Sequence, residues 1–102
     1  MRFQLALQWP VSSLSGFDEL LSLEELLEAK LTDQSDVDGH DFGSGEANIF
    51  VLTNDPYRTL KEVRGILSGH KLWPNTVIAY RETLGTEYMV LWPEGMTGFR
   101  VR

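Results

Sequence analysis

The sequence predicts an α+β domain of order β-α-β-β-α-β with one additional C-terminal strand, most simply a ferredoxin-like split βαβ sandwich. Three observations carry this. Residues 2–9 alternate apolar and polar side chains, the period of a half-buried strand. Leu20, Leu23, Leu27 and Leu31 recur at helical spacing. Asp55-Pro56 then reads as an N-cap with proline in the first turn of a second helix. Right-handed crossovers place two helices on one face of an antiparallel sheet, with strands ordered 4-1-3-2 and the fifth beside the fourth.

The first strand, 2–9, puts Phe3, Leu5, Leu7 and Trp9 on one face and Arg2, Gln4, Ala6 and Gln8 on the other. Pro10 ends it, having no N–H for the ladder. Ser15 with Asp18 is a capping-box variant for a helix over 16–31, with Phe17 helping the leucine stripe. Residues 34–42 read as a polar edge strand. Gly43-Ser44-Gly45 turns the chain into a third strand, 46–53, apolar on both faces and therefore central. The second helix spans 56–68, buries Leu60, Val63 and Leu67, and stops at Gly69. Strands 75–82 and 86–92 form a hairpin through 83–85. Each of the three tryptophans precedes a proline, marking a strand boundary beside a large aromatic. The tail, 94–102, is expected either to add a short edge strand or to stay loose.

A length of 102 residues fits one domain, 1–102, and 42% hydrophobic content suffices for a core. Without cysteine, disulfides, thiolate nucleophiles and cysteine-based metal sites are excluded. No run approaches the roughly 20 apolar residues of a membrane span, and the alternating N-terminus is unlike a signal peptide. The expectation is a cytoplasmic protein without a membrane association. A net charge of −6 argues against nucleic acid as a partner. The charge is uneven, −8 over residues 1–50 and +2 over 51–102. Ion pairing between an acidic first helix and a basic second helix is the preferred explanation, ahead of steering toward a basic partner.

The segment from Asp36 to Glu46 concentrates acids, glycines and one of two histidines. As an EF-hand loop it fails: Asp41 falls where glycine is required, and Ala47 where the bidentate glutamate belongs. On a regular strand Asp36, Asp38 and His40 share a face and Asp41 points away. A metal site there lacks a second nearby histidine, so neither metal nor cofactor is expected. Gly43-Ser44-Gly45 can form an anion nest, but Asp41 and Glu46 repel phosphate and a plain turn is preferred. For acid–base chemistry, His40 with Asp38 or Asp41 is the one tempting pair. His70, following Gly69 at a helix end, reads as a capping and linker residue.

No catalytic triad signature, phosphate loop or dinucleotide fingerprint is present. An acylphosphatase-like enzyme needs a base between strand one and helix one; Pro10 to Gly16 has none. An RNA-recognition domain needs aromatics on its central strands, and only Phe50 is available there. The helix-free sheet face, with Gln4, Ala6, Gln8, Phe50, Leu52 and Tyr80 or Tyr88, suits self-association as a possible dimer or a protein partner. The binding surface is thus expected to draw on Gln4, Gln8, Asp38, His40, Asp41, Ser44, Glu46 and Tyr80.

The run from Val37 to Phe50, followed by Thr53-Asn54-Asp55-Pro56 and Ala79-Tyr80-Arg81, resembles a group of small bacterial proteins of unassigned function. In size, acidity and general layout the chain also resembles compact immunity-type proteins, which neutralise toxins by binding them. The resemblance implies a bacterial source and transfers no catalytic residue. The expected function is a protein- or ligand-binding module without catalysis, immunity-like or regulatory. The alternatives are a small enzyme using His40 with Asp38 or Asp41, with or without the assistance of a metal, and a dimeric small-molecule sensor.

Overall fold

A computed structural model describes residues 1–43 and 45–101. Strands β1 (Phe3–Pro10), β2 (Ser35–Phe42), β3 (Glu46–Thr53), β4 (Val77–Glu82) and β5 (Met89–Trp92) are joined in one sheet. Helices α1 (Phe17–Lys30) and α2 (Pro56–Leu67) follow β1 and β3 respectively. The sheet order is β2-β3-β1-β4-β5, and every neighbouring pair is antiparallel.

Alternation along β1 decides which side is core. Leu5, Leu7 and Trp9 are wholly buried and pack with Ala47, Ile49 and Val51 of β3 and Ile78 of β4. Leu20, Leu23 and Leu27 of α1 and Val63 and Leu67 of α2 close the same cluster. Each such aliphatic side chain contributes roughly 1.5–3 kcal/mol by leaving water. Trp9 also carries a polar handle. Its indole N–H donates to Thr76 Oγ1 at 2.7 Å, and that hydroxyl donates to the Leu72 carbonyl at 2.9 Å. The donor is thus satisfied inside the core, as burial demands.

The helix starts differ in chemistry. At α2, Asp55 accepts the Arg58 backbone N–H and Pro56 occupies the first turn, as the sequence predicts. At α1 the expected Ser15 cap is absent and Gly16 is the N-cap. The Glu19 carboxylate instead reaches back to accept the Ser15 N–H at 2.9 Å. Leu60 is only partly buried, and its expected place is shared with Thr59. Thr59 links by hydroxyl bonds of 2.8 Å to both Ser35 and Thr53, tying α2 to β2 and β3.

The hairpin is shorter than expected. A turn of 3-10 helix at Trp73–Asn75 delays β4, and the connection runs from 83 to 88. Arg81 explains the longer loop: its guanidinium donates to the carbonyls of Glu82, Thr83 and Gly85 and to the Tyr88 hydroxyl. Trp73 and Trp92, both before prolines, stack with centroids 5.4 Å apart, and Arg64 lies 4.7 Å over the Trp92 ring. None of the described helices is long and apolar enough to cross a membrane.

The helix-free sheet face is not bare. Ala6 and Ala79 on it are wholly buried and Asn48 nearly so. The C-terminal segment supplies cover: the Gln8 amide donates to the Arg100 carbonyl at 2.8 Å and to Asn48 Oδ1 at 3.1 Å. Phe99 packs on Tyr88 at 5.1 Å, and the Tyr88 hydroxyl donates to Gln4 Oε1 at 3.4 Å. The segment 94–101 therefore adds no strand, yet it is tied to the sheet. Tyr80 is opposite Leu5 in the register, which puts it on the helix-bearing side and not on this face.

Candidate functional site

The chemistry-bearing segment forms β2, an edge of the sheet, and one residue changes its phase. The register steps from Val37 opposite Val51 to Gly39 opposite Phe50, so Asp38 is the extra residue of a β-bulge. Gly39 has φ of +117°, a conformation open to glycine and strained for any other residue. A regular strand would have carried Asp36, Asp38 and His40 on one face. The bulge breaks that alternation.

Beyond it, His40 lies opposite Ile49 and faces α1, whereas Asp41 lies opposite buried Asn48 on the other face. Asp38 also falls on that other face, 3.4 Å from the Gln4 amide that donates to it. The pairing of His40 with Asp38 or Asp41 is thus not formed. The acid that meets His40 is Glu24 of α1, both of whose carboxylate oxygens lie 3.1 Å from Nδ1.

Two aromatic rings frame this contact. Phe17, at the start of α1, lies 5.4 Å from the His40 ring and 5.5 Å from Phe42, the last pair edge-to-face. Phe17 and Glu24 are seven positions apart, two helical turns, so they share the side of α1 that overlooks β2. Phe17 was expected in the leucine stripe. It is instead 43% exposed, and Phe42 37%, which makes an aromatic patch bridging helix and edge strand.

Gly43 and Gly45, on either side of Ser44, are both bonded within the chain. Gly43 N–H donates to the Glu46 carbonyl at 3.0 Å, and Val11 N–H to the Gly45 carbonyl at 2.9 Å. The Gly43 amide is therefore not available to cradle an anion. Glu46 begins β3 opposite Pro10. Ser44, expected to take part in binding, lies outside the described residues.

The charge distribution differs from the expected helix-to-helix pairing. Among the described residues, the ion pairs are Glu19 with Lys71 at 2.9 Å and Glu62 with Arg58 within α2, beside the contact of Glu24 with His40. None joins α1 to α2. Asp18, Glu25 and Glu28 of α1 and Asp36, Asp38 and Asp41 of β2 have no ion-pair partner among the described residues. The Lys71 ammonium bonded to Glu19, with the Ser15 N–H second, holds that carboxyl below its ordinary range. His70 accepts the Leu72 N–H on Nδ1 at 3.1 Å, a local turn contact.

Among the described residues no three histidine, aspartate or glutamate side chains converge to hold a metal ion. What the arrangement offers is an aromatic pair with a histidine and its Glu24 partner on a helix–strand surface, with the aspartates of β2 turned to the opposite face. Two signals for it stand in the chain: the glycine inside a strand pattern, which marks a bulge, and the spacing of Phe17 and Glu24. No protein-family model, curated protein or solved structure matches this chain.

Proposed function

We propose that this chain is a non-catalytic protein-binding module on a ferredoxin-like split βαβ sandwich, and that its working surface is the α1–β2 side. The antiparallel order β2-β3-β1-β4-β5 with two intervening helices supports the fold reading. The observation that carries the function is the half-exposed Phe17–Phe42 pair beside His40 and Glu24. Exposed aromatic anchors ringed by polar groups are how protein interfaces concentrate their affinity. The unpaired acids of α1 and of the β2 edge favour a basic partner and speed encounter with it. The likeness to immunity-type proteins makes a toxin one form of that partner, in the cytoplasm of a bacterium. The sheet face is the weaker surface for a partner or for dimer formation, because Gln4 and Gln8 already bond within the chain.

Affinity capture from a lysate of the source organism tests this with the wild type and Phe42→Ala side by side. The expected result is a protein retained by the wild type, released by raised salt and lost from the Phe42→Ala column. Equal retention by both proteins, or retention indifferent to salt, refutes the α1–β2 surface.

A further inference from the structure

At the far end of the sheet from β2, between the start of β1 and the loop joining β4 to β5, lies a groove of about 380 Å³. Phe3, Tyr80 and Met89 give it an apolar floor, and Glu82 and Glu87 line its sides. Phe3 and Tyr80 meet edge-to-face at 5.8 Å and 75°, forming a corner of two rings. Tyr57 continues the aromatic row, 6.2 Å from Tyr80. Met89 is 61% exposed although it is apolar, and its sulfur accepts a contact from the Tyr80 hydroxyl at 3.7 Å.

Two carboxylates, Glu82 and Glu87, line the groove, and two cations, Arg2 at Phe3 and Arg81, lie beside them. Neither Glu82 nor Glu87 has an ion-pair partner among the described residues. Arg81 also lines the groove, but its guanidinium is spent on three loop carbonyls and the Tyr88 hydroxyl. A cation already seeks these rings: the Arg2 guanidinium lies 5.5 Å from the centre of Phe3. Ring faces attract cations through their quadrupole, and an alkylated ammonium adds apolar contact that a hydrated lysine does not.

We propose that this groove binds an organic cation carrying an alkylated ammonium group, seated on Phe3 and Tyr80 and balanced by Glu82 and Glu87. Burial, with the Tyr57 hydroxyl and Glu82 beside it, also pushes the Tyr80 phenol above its ordinary pKa. The site is independent of the α1–β2 surface and stands or falls without it.

Titrations followed by backbone amide NMR shifts test the proposal with choline, a peptide bearing trimethyl-lysine, and the neutral isostere 3,3-dimethylbutanol. Saturable shifts confined to residues near Phe3, Tyr80 and Met89, for either cation and weaker for the alcohol, are expected. Whichever cation binds more tightly identifies a free metabolite or a protein side chain as the source. Tyr80→Leu should weaken cation binding roughly 3- to 30-fold. Glu82→Gln with Glu87→Gln, both on the surface and harmless to folding, should also weaken the cation and leave the alcohol unchanged. An alcohol that binds as tightly as choline, cation binding untouched by the double glutamine variant, or no saturable shift with either cation would overturn it.

Discussion

Replacing Gly39 with alanine isolates the backbone conformation on which the α1–β2 surface depends. A Cβ built at this position has nothing within 4 Å, so steric collision contributes nothing. The cost is the backbone itself, held at φ +117°. A non-glycine residue in such a region costs about 1–3 kcal/mol. For a chain of 102 residues, unfolding entropy is about 0.2 kcal/mol per kelvin, which converts that cost into a Tm lowered by about 5–15 °C. The matched control is Gly65 of α2, which has no positive φ and equally open space, so Gly65→Ala should be neutral or stabilising, by up to about 1 kcal/mol. Urea unfolding of the three proteins measures both values, and NMR contacts between His40 and Phe17 report whether the surface survives. If alanine is instead accommodated by erasing the bulge, residues beyond 39 change face and the His40–Phe17 contact disappears. Equal stability of Gly39→Ala and wild type, with that contact intact, refutes the role assigned to the bulge.

Thr76→Val should cost about 1–3 kcal/mol, because it strands the Trp9 N–H in a fully buried site. A cycle with Trp9→Phe, which removes the donor, should show coupling of the two sites; strictly additive losses in urea unfolding would contradict it. Glu19, whose pKa is lowered by folding, adds stability above the ordinary carboxylate range and loses it as pH falls through the lowered value. Glu19→Gln should flatten that acid-side slope and cost about 0.2–1 kcal/mol at neutral pH, measured by unfolding midpoints across the acid range. Tyr80 behaves in the opposite sense: its raised pKa favours the folded state below the ordinary phenol value, and the gain vanishes as pH rises through the raised one. Tyr80→Phe should therefore reduce the alkaline loss of stability, and an unchanged alkaline limb would exclude Tyr80 as its source.

The legible parts of the fold are those where one residue type has one physical role. The alternation of β1 separates Leu5, Leu7 and Trp9 from Gln4, Ala6 and Gln8, and Asp55-Pro56 locates the start of α2. The site was harder to read, because strand alternation holds only while the register is unbroken. One extra residue at Asp38 sends His40 to Glu24 and away from the aspartates beside it in sequence. The pairing of Glu24 with His40, sixteen residues apart, is a tertiary contact that no local spacing announces. The cover over Ala6 and Ala79 is similar: it comes from Phe99 and Arg100, in a tail whose brief alternation reads equally as an edge strand or a loose end. Charge was the subtlest case. Acid in α1 and base in α2 suggest mutual pairing, but Arg58 turns to Glu62 and Gln34, and Arg64 lies over Trp92.

The unpaired acids and the bulge together shape how the β2 edge can bind. An exposed edge strand invites another strand to extend the sheet, and charges and bulges are the usual guards against it. β2 carries both, with Asp36, Asp38 and Asp41 along it and Gly39 breaking the ladder. A partner at this edge is therefore met by side chains more than by backbone. Affinity at this edge must then come from the apolar area beside it, the Phe17–Phe42 pair. The carboxylates, solvated and screened, act mainly on the approach. The two contributions separate kinetically: added salt should lower the association rate, while Phe42→Ala should raise the dissociation rate. A partner whose dissociation alone responds to salt would place the carboxylates within the buried contact and reverse this division of roles.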